Sequence, residues 1–274
     1  MKYLKGKNAL ITGGSRGLGP VVANFLAREG VNIALTARTE ESLNRVAENL
    51  SANNIKTGVY AGDISNDDFK KQLLKKVRKD FGCIDILINN AGIEWVCAYT
   101  DLSNEEISQM LTTNLAAPML LTRMALPAMI EQKSGHIVNM SSLGGKKGSP
   151  FSATYAATKA GLIQWTSGIR AELRGTGVSA SVICPGFVSE AGMFAEYNKK
   201  APKIVGETTP EKVAKAVVKA IKKDISEIVV NSGPVWPMLL LEAIHPQLVD
   251  WVLRNTGVHE FYRKQAMDNQ KGDS

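Results

Sequence analysis

The chain has 274 residues, 44% of them apolar and 22% charged, with 33 basic and 26 acidic side chains and a formal charge of +7. This balance excludes a disordered or low-complexity chain and fits a soluble globular protein with room for one large domain. Three widely spaced cysteines, Cys83, Cys97 and Cys184, exclude a disulfide framework and a zinc site and point to a reducing compartment such as the cytoplasm.

The amino end, MKYLKGKNALITGG, has no long apolar core ahead of a cleavage site, so no signal peptide is expected. A first strand is expected over 8–12 (NALIT), followed by a glycine-rich turn and a helix over 17–29. Strands then alternate with helices: strand 32–36, helix 40–52, strand 56–60, helix 66–80, strand 84–89, helix 104–131, strand 136–140, helix 152–174, strand 178–183, helix 210–223 and strand 226–230. KKQLLKKVRK at 70–79 reads as an exposed helical face rather than a compact nucleic-acid-binding arm. The strands are almost continuously apolar, as in a parallel sheet covered on both faces. The order therefore predicts an α/β fold: a single doubly wound, Rossmann-type parallel sheet with helices on both faces. The longest apolar-leaning stretch near the carboxyl end, 228–241, holds Asn231, Gly233, Pro234 and Pro237 and is too short and broken to span a bilayer.

The first turn, TGGSRGLGP at 12–20, has a strand before it and a helix after it. Gly13, Gly17 and Gly19 permit a tight turn and close approach of main chain to a pyrophosphate, and the helix amino end supplies free N–H groups. Pro20 suits the first helical turn. An acid at the end of the second strand usually holds a ribose 2′-hydroxyl. Here that strand ends in Ala37 and Arg38, and Arg38 can fork onto a 2′-phosphate with Arg16 approaching the same group. Glu40 and Glu41 are rival acids, but after Thr39 they also suit a capped first helical turn. NADP(H) is favoured over NAD(H).

Further along stand NNAG (89–92), TTNLAA with Asn114, SS at 141–142, YAATK (155–159) and PG at 185–186. With TGGSRGLG at 12–19, they occur in the order found in the short-chain dehydrogenase/reductase family, which the chain resembles over about residues 6–230 in its non-extended branch. The resemblance implies a catalytic tetrad of Asn114, Ser142, Tyr155 and Lys159. It implies cofactor contacts at Gly13, Ser15, Arg16, Gly17, Leu18, Gly19, Arg38, Asp63, Ile64, Asn90, Ala91, Gly92, Tyr155, Lys159, Pro185, Gly186 and Val188. Asp63 would meet the adenine, although it also precedes a possible capping box of Ser65 and Asp68. Asn114 would hold a water linking Lys159 to solvent. Independently of the resemblance, Tyr155 and Lys159 lie one helical turn apart and share a face. A cation within a few ångströms lowers a phenol's pKa by roughly 1–3 units. The resemblance implies that Tyr155 is the general acid in reduction and the base in oxidation, and the family spacing to the tyrosine selects Ser142 as the serine that stabilises the oxyanion.

The loops past the strands carry Glu94, Trp95, Val96, Leu143, Phe151, Phe187, Met193 and Phe194. Trp95, Phe151, Phe187 and Met193 are the candidate substrate contacts, and the apolar set predicts a hydrophobic ketone, aldehyde or alcohol. No metal site and no nucleic-acid partner are expected: His136, His245 and His259 lack ligand company. The alternatives are a related reaction, enoyl reduction or epimerisation, and a sensor or scaffold without turnover. The family's enoyl reductases space the tyrosine and lysine more widely, so the resemblance disfavours enoyl reduction, and the complete tetrad disfavours a sensor or scaffold. Residues 1–233 are expected to form the dinucleotide-binding and catalytic domain. Residues 234–274 form a helical extension, packed on that domain or on a partner subunit of a homodimer or homotetramer. A peripheral membrane contact through this extension is the less favoured reading.

Overall fold

The computed structural model describes residues 1–197 and 199–272. Its strands are β1 (Asn8–Thr12), β2 (Asn32–Ala37), β3 (Thr57–Ala61), β4 (Ile86–Asn89), β5 (Gly135–Met140), β6 (Val178–Pro185), β7 (Phe187–Val188), β8 (Glu207–Thr208) and β9 (Glu227–Val230). Seven form one sheet in the order β3-β2-β1-β4-β5-β6-β9, with every neighbouring pair parallel. β7 and β8 make a separate parallel pair. This is the doubly wound arrangement that the alternating apolar runs predict.

The helices are α1 (Leu18–Arg28), α2 (Glu40–Leu50), α3 (Asp67–Phe81), α4 (Asn104–Leu111), α5 (Ala117–Glu131), α6 (Ala153–Glu172), α7 (Met193–Glu196), α8 (Pro210–Lys223), α9 (Trp236–Ile244), α10 (Pro246–Asn255) and α11 (Val258–Gly272). Alternate strand residues face opposite layers. Ile11 and Ile33 join Leu26 of α1 and Val217 of α8 in one core, whereas Leu10 and Leu87 join Leu73 of α3 and Leu121 of α5 in the other. The strand order reverses between β1 and β4, with β2 and β3 laid down on one side and β5, β6 and β9 on the other, which opens a crevice at the carboxyl ends of the strands.

Local chemistry moves several expected boundaries. The helix expected over 104–131 is two helices joined by a widened π turn at Thr112–Ala116. Asn114 sits in that turn, with its side chain bonded in both directions to the main chain of Ile93. Asn66, not Ser65, caps α3, accepting from the Phe69 N–H at 2.9 Å. Thr39 occupies the N-cap of α2, but its hydroxyl makes no cap bond.

The last three helices fold back onto the domain. Val249, Leu253 and Val258 pack with Val205, Phe187, Met238 and Tyr262. Lys147 Nζ lies 2.8 Å from Glu242 and 2.7 Å from Asp250, and the Asn269 amide donates to the Val96 carbonyl at 2.9 Å. Trp236, Leu240, Ile244, Leu248 and Trp251 remain exposed on these helices. Among the described residues, no helix is long and apolar enough to cross a membrane.

Candidate active site

A cleft of about 1000 Å³ runs along the carboxyl ends of the strands. At one end the glycine turn connects β1 to α1. Gly13 has φ 64°, and a Cβ there would lie 2.9 Å from Ala91 Cα. Gly19 is not a lining residue. It packs beneath the turn, where a Cβ would collide with the Gly13 carbonyl oxygen. Asn90 braces the loop, donating to the carbonyls of Thr12 and Gly13 at 3.1 Å each. The Thr12 hydroxyl accepts from the N–H groups of Asn90 and Ala91. The α1 amino end has no side-chain cap, so its N–H groups are available to a ligand.

Ser15, Arg16, Gly17 and Leu18 line this end of the cleft, and Arg38, Asp63, Ile64, Ala91 and Gly92 continue it. Arg38 is exposed and has no ion pair among the described residues. Arg16 reaches across the mouth to Glu196 of α7 at 3.0 Å. Asp63 accepts from the Ser65 N–H at 2.8 Å. The buried Thr36 hydroxyl oxygen lines the cleft without a partner. A pinched glycine turn, an uncapped helix amino end, a free arginine and an orphaned hydroxyl suit a phosphorylated dinucleotide.

Tyr155, Lys159 and Ser142 line the cleft, as do Pro185, Gly186 and Val188, at and just past the carboxyl end of β6, the strand next to β5. Helix α6 places Lys159 Nζ 5.4 Å from the centre of the Tyr155 ring. Lys159 is buried, donates to the Met140 carbonyl at 2.9 Å, and is anchored by the Ser141 hydroxyl on its own carbonyl at 2.8 Å. Burial lowers the Lys159 pKa to about 8, opposed by Glu94. Burial, then the nearby Glu94, raise the Tyr155 pKa, while a hydrogen bond with Ser142 lowers it. The Ser141 hydroxyl is engaged on α6, so Ser142 is the serine available beside Tyr155.

Asn114 lies behind this group, fully buried and off the cleft surface. Its side chain bonds Ile93 twice at 2.8 Å and Thr158 at 3.3 Å. Both of its amide hydrogens are engaged in these bonds, which tie the widened turn to the segment after Gly92. The widened turn around it alters the regular main-chain bonding pattern there.

At the substrate end, Phe187 and Met193 line the cleft as expected, but Trp95 and Phe151 do not. Glu94 takes the cleft-lining position next to Trp95, and neighbours on a non-helical segment turn to different sides. Phe151 contributes main chain instead: its carbonyl accepts from the Cys97 N–H at 3.0 Å. Residues without a local sequence signal complete the wall, including Tyr197 and, from the last helices, Met238, Leu253 and Tyr262. Phe187 lies 4.7 Å from Phe194 and 6.1 Å from Tyr262, centre to centre. A dense apolar carboxyl-terminal segment was the one available clue to the last helices; nothing in it singled out Tyr262. Among the described residues, no group of three or more His, Cys, Asp and Glu side chains could hold a metal ion.

Comparison with known proteins agrees with this geometry. A family model described as short chain dehydrogenase matches residues 7–202. The ketoacyl reductase HetN of Nostoc sp. is 43% identical over 276 residues, covering 99% of this chain and 96% of its own, so the similarity runs into the last helices. An uncharacterized oxidoreductase of Staphylococcus aureus strain MW2 is 35% identical over 238 residues, covering 87% of this chain and 100% of its own. The crystal structure of a metagenomic short-chain oxidoreductase in complex with NADP superposes with TM-score 0.73 at 31% identity, covering 84% of this chain and 99% of that one.

Proposed function

Because the chain belongs to the short-chain dehydrogenase family, we propose that it is an NADP(H)-dependent oxidoreductase interconverting an apolar ketone or aldehyde with its alcohol. The observation carrying this reading is the convergence of Tyr155, Lys159 and Ser142 along a cleft that begins at the glycine turn. A bound nicotinamide would supply or accept hydride at the substrate carbon.

The glycine turn and the α1 amino end would hold the pyrophosphate. Arg38, with Arg16, would hold the 2′-phosphate that distinguishes NADP from NAD. The NADP in the metagenomic relative lends weight to that choice. Asp63 and Ile64 would flank the adenine, and Pro185, Gly186 and Val188 the nicotinamide end.

In reduction, negative charge develops on the carbonyl oxygen. The Tyr155 hydroxyl donates its proton there, and Ser142 offers a second hydrogen bond to the same oxygen. Tyr155 becomes a phenolate, which its buried surroundings disfavour. The Lys159 ammonium offsets that cost by its charge, a field strengthened in a water-poor cleft. In oxidation the phenolate takes the proton from the alcohol. Phe187, Phe194 and Tyr262 line the cleft, and an aromatic wall of this kind favours an apolar substrate.

The test is a panel of ketones and aldehydes, with a 3-ketoacyl thioester included because HetN is named a ketoacyl reductase. NADPH and NADH oxidation are followed at 340 nm with wild type and Tyr155→Phe. Turnover of apolar carbonyls with NADPH, abolished in Tyr155→Phe, supports the reading. Undiminished turnover in that variant, or a preference for small charged substrates, would sink it.

A further inference from the structure

Of the carboxylates that line the cleft, Glu196 pairs with Arg16 and Asp250 with Lys147, whereas Glu94 has no ion pair among the described residues. One of its oxygens accepts a hydrogen bond from the Ser152 hydroxyl, the other from the Tyr197 hydroxyl at 3.2 Å. Each carboxylate oxygen accepts two hydrogen bonds, so each retains capacity, and Glu94 faces the same cavity as Tyr155 and Lys159.

The surroundings hold Glu94 in this position at some cost. Ser152 stands at the N-cap of α6 and is 2% exposed, yet it does not cap its helix; its hydroxyl goes to Glu94. The preceding residue, Phe151, has φ 61°, a left-handed conformation that a bulky side chain rarely adopts. Its carbonyl ties the start of α6 to Cys97, three residues beyond Glu94. A missing cap and a strained backbone thus meet where the carboxylate is presented to the cavity.

Placing a carboxylate in a cleft that Phe187, Phe194 and Tyr262 also line carries a desolvation cost that two neutral hydroxyls only partly offset. Burial holds the Glu94 carboxyl above the usual range, with Ser152, Tyr197 and the more distant Lys159 opposing that rise. The group lacks a further donor, and the cavity is where one would arrive.

Resting on the carbonyl-reduction reading, we infer that Glu94 is the polar anchor of the substrate subsite: it accepts a hydrogen bond from a hydroxyl or ammonium group carried by the apolar substrate away from its reacting carbon, and it disfavours a carboxylate at the same place. The substrate class is thereby narrowed from apolar carbonyl compounds to those bearing a donor.

The test uses matched aryl ketones whose far end carries a hydroxymethyl, aminomethyl, methyl or carboxylate group, with NADPH as reductant. In the wild type, kcat/KM for at least one donor-bearing ketone should exceed that of the methyl compound by roughly 10- to 100-fold, the range for hydrogen bonds to a charged group. The carboxylate should be poorest. An aminomethyl compound ahead of the hydroxymethyl one identifies a cation as the preferred donor. In Glu94→Gln the donor-to-methyl ratio should fall towards one and the carboxylate should lose its handicap. A wild-type enzyme indifferent to these groups, or a Glu94→Gln variant that keeps the ratio, overturns the inference; if the variant does not fold, the wild-type ranking decides alone. Calorimetric titration of the corresponding alcohols into NADPH-loaded protein separates the two levels. If no ketone is reduced, the reduction reading fails, and the alcohol ranking, lost in Glu94→Gln or never present, still judges Glu94.

Discussion

At the cofactor end of the cleft much of the wall comes from two short runs, within residues 13–18 and 90–92, with Arg38 and Asp63 beside them; at the substrate end it comes from Glu94, Phe187, Tyr197 and Tyr262, on well-separated segments. The first wall tolerates almost no change of backbone conformation, because Gly13 and Gly19 are pressed against neighbouring main chain. The second is a set of interchangeable surfaces held by tertiary contacts. A binding site for a fixed ligand can be built from backbone geometry, whereas one for a variable ligand must be built from side chains.

The sharpest division between the ends is Tyr155→Phe, which should lower kcat by about 10³-fold, within the range of general acid catalysis, while NADPH still binds by fluorescence titration. Loss of NADPH binding in that variant would break the comparison, since Tyr155 would then belong to the cofactor end. Gly19→Ala should do the reverse. Displacing the glycine turn costs on the order of 2–3 kcal/mol, so NADPH should bind about 100-fold more weakly; unchanged NADPH affinity would show that the turn yields freely.

Ending the chain after residue 233 removes Met238, Leu253 and Tyr262 from the cleft and uncovers Val205 and Phe187. KM for apolar ketones should rise about tenfold or more, the equivalent of one lost apolar contact surface, with NADPH affinity retained. Equal KM values for the full and shortened chains would mean that the last helices play no part in substrate binding. Arg38→Ala should reduce the NADPH-over-NADH preference by about tenfold, as expected for a charge-assisted pair. An unaltered ratio of the two kcat/KM values would leave the 2′-phosphate without its proposed holder.

The smallest effect at neutral pH comes from Lys159, with a pKa near 8. Its cation is present below that pH and lost above it. The reductive kcat/KM, which reports the free enzyme, should therefore be level below about pH 8 and fall about tenfold per unit above it. Lys159→Arg, cationic throughout, should remove that limb from whatever activity remains. A profile that is flat to pH 10 in the wild type would detach Lys159 from the proton transfer.

The parallel sheet was legible because each strand is a short apolar run between helical patterns. The glycine turn was legible because a positive φ at Gly13 restricts the residue type. Tyr155 and Lys159 were legible because both lie on one helix, where four residues make a turn. The break at Asn114 was not: a pattern of apolar spacing continues through residues 104–131, and only the bonds to Ile93 mark the widened turn.

The sequence by itself determined the order of strands and helices, the loop that faces a dinucleotide and the tyrosine–lysine pair, since each depends on residues within a few positions of one another. Tertiary structure alone decided that Glu94, not Trp95, faces the cavity, and that Ser152, 58 residues away, and Tyr197, 103 residues away, hold it there. It also decided that Tyr262 closes the cleft from the last helix. Contacts across such separations depend on how whole elements pack, and packing energy is spread over many apolar side chains that leave no local pattern.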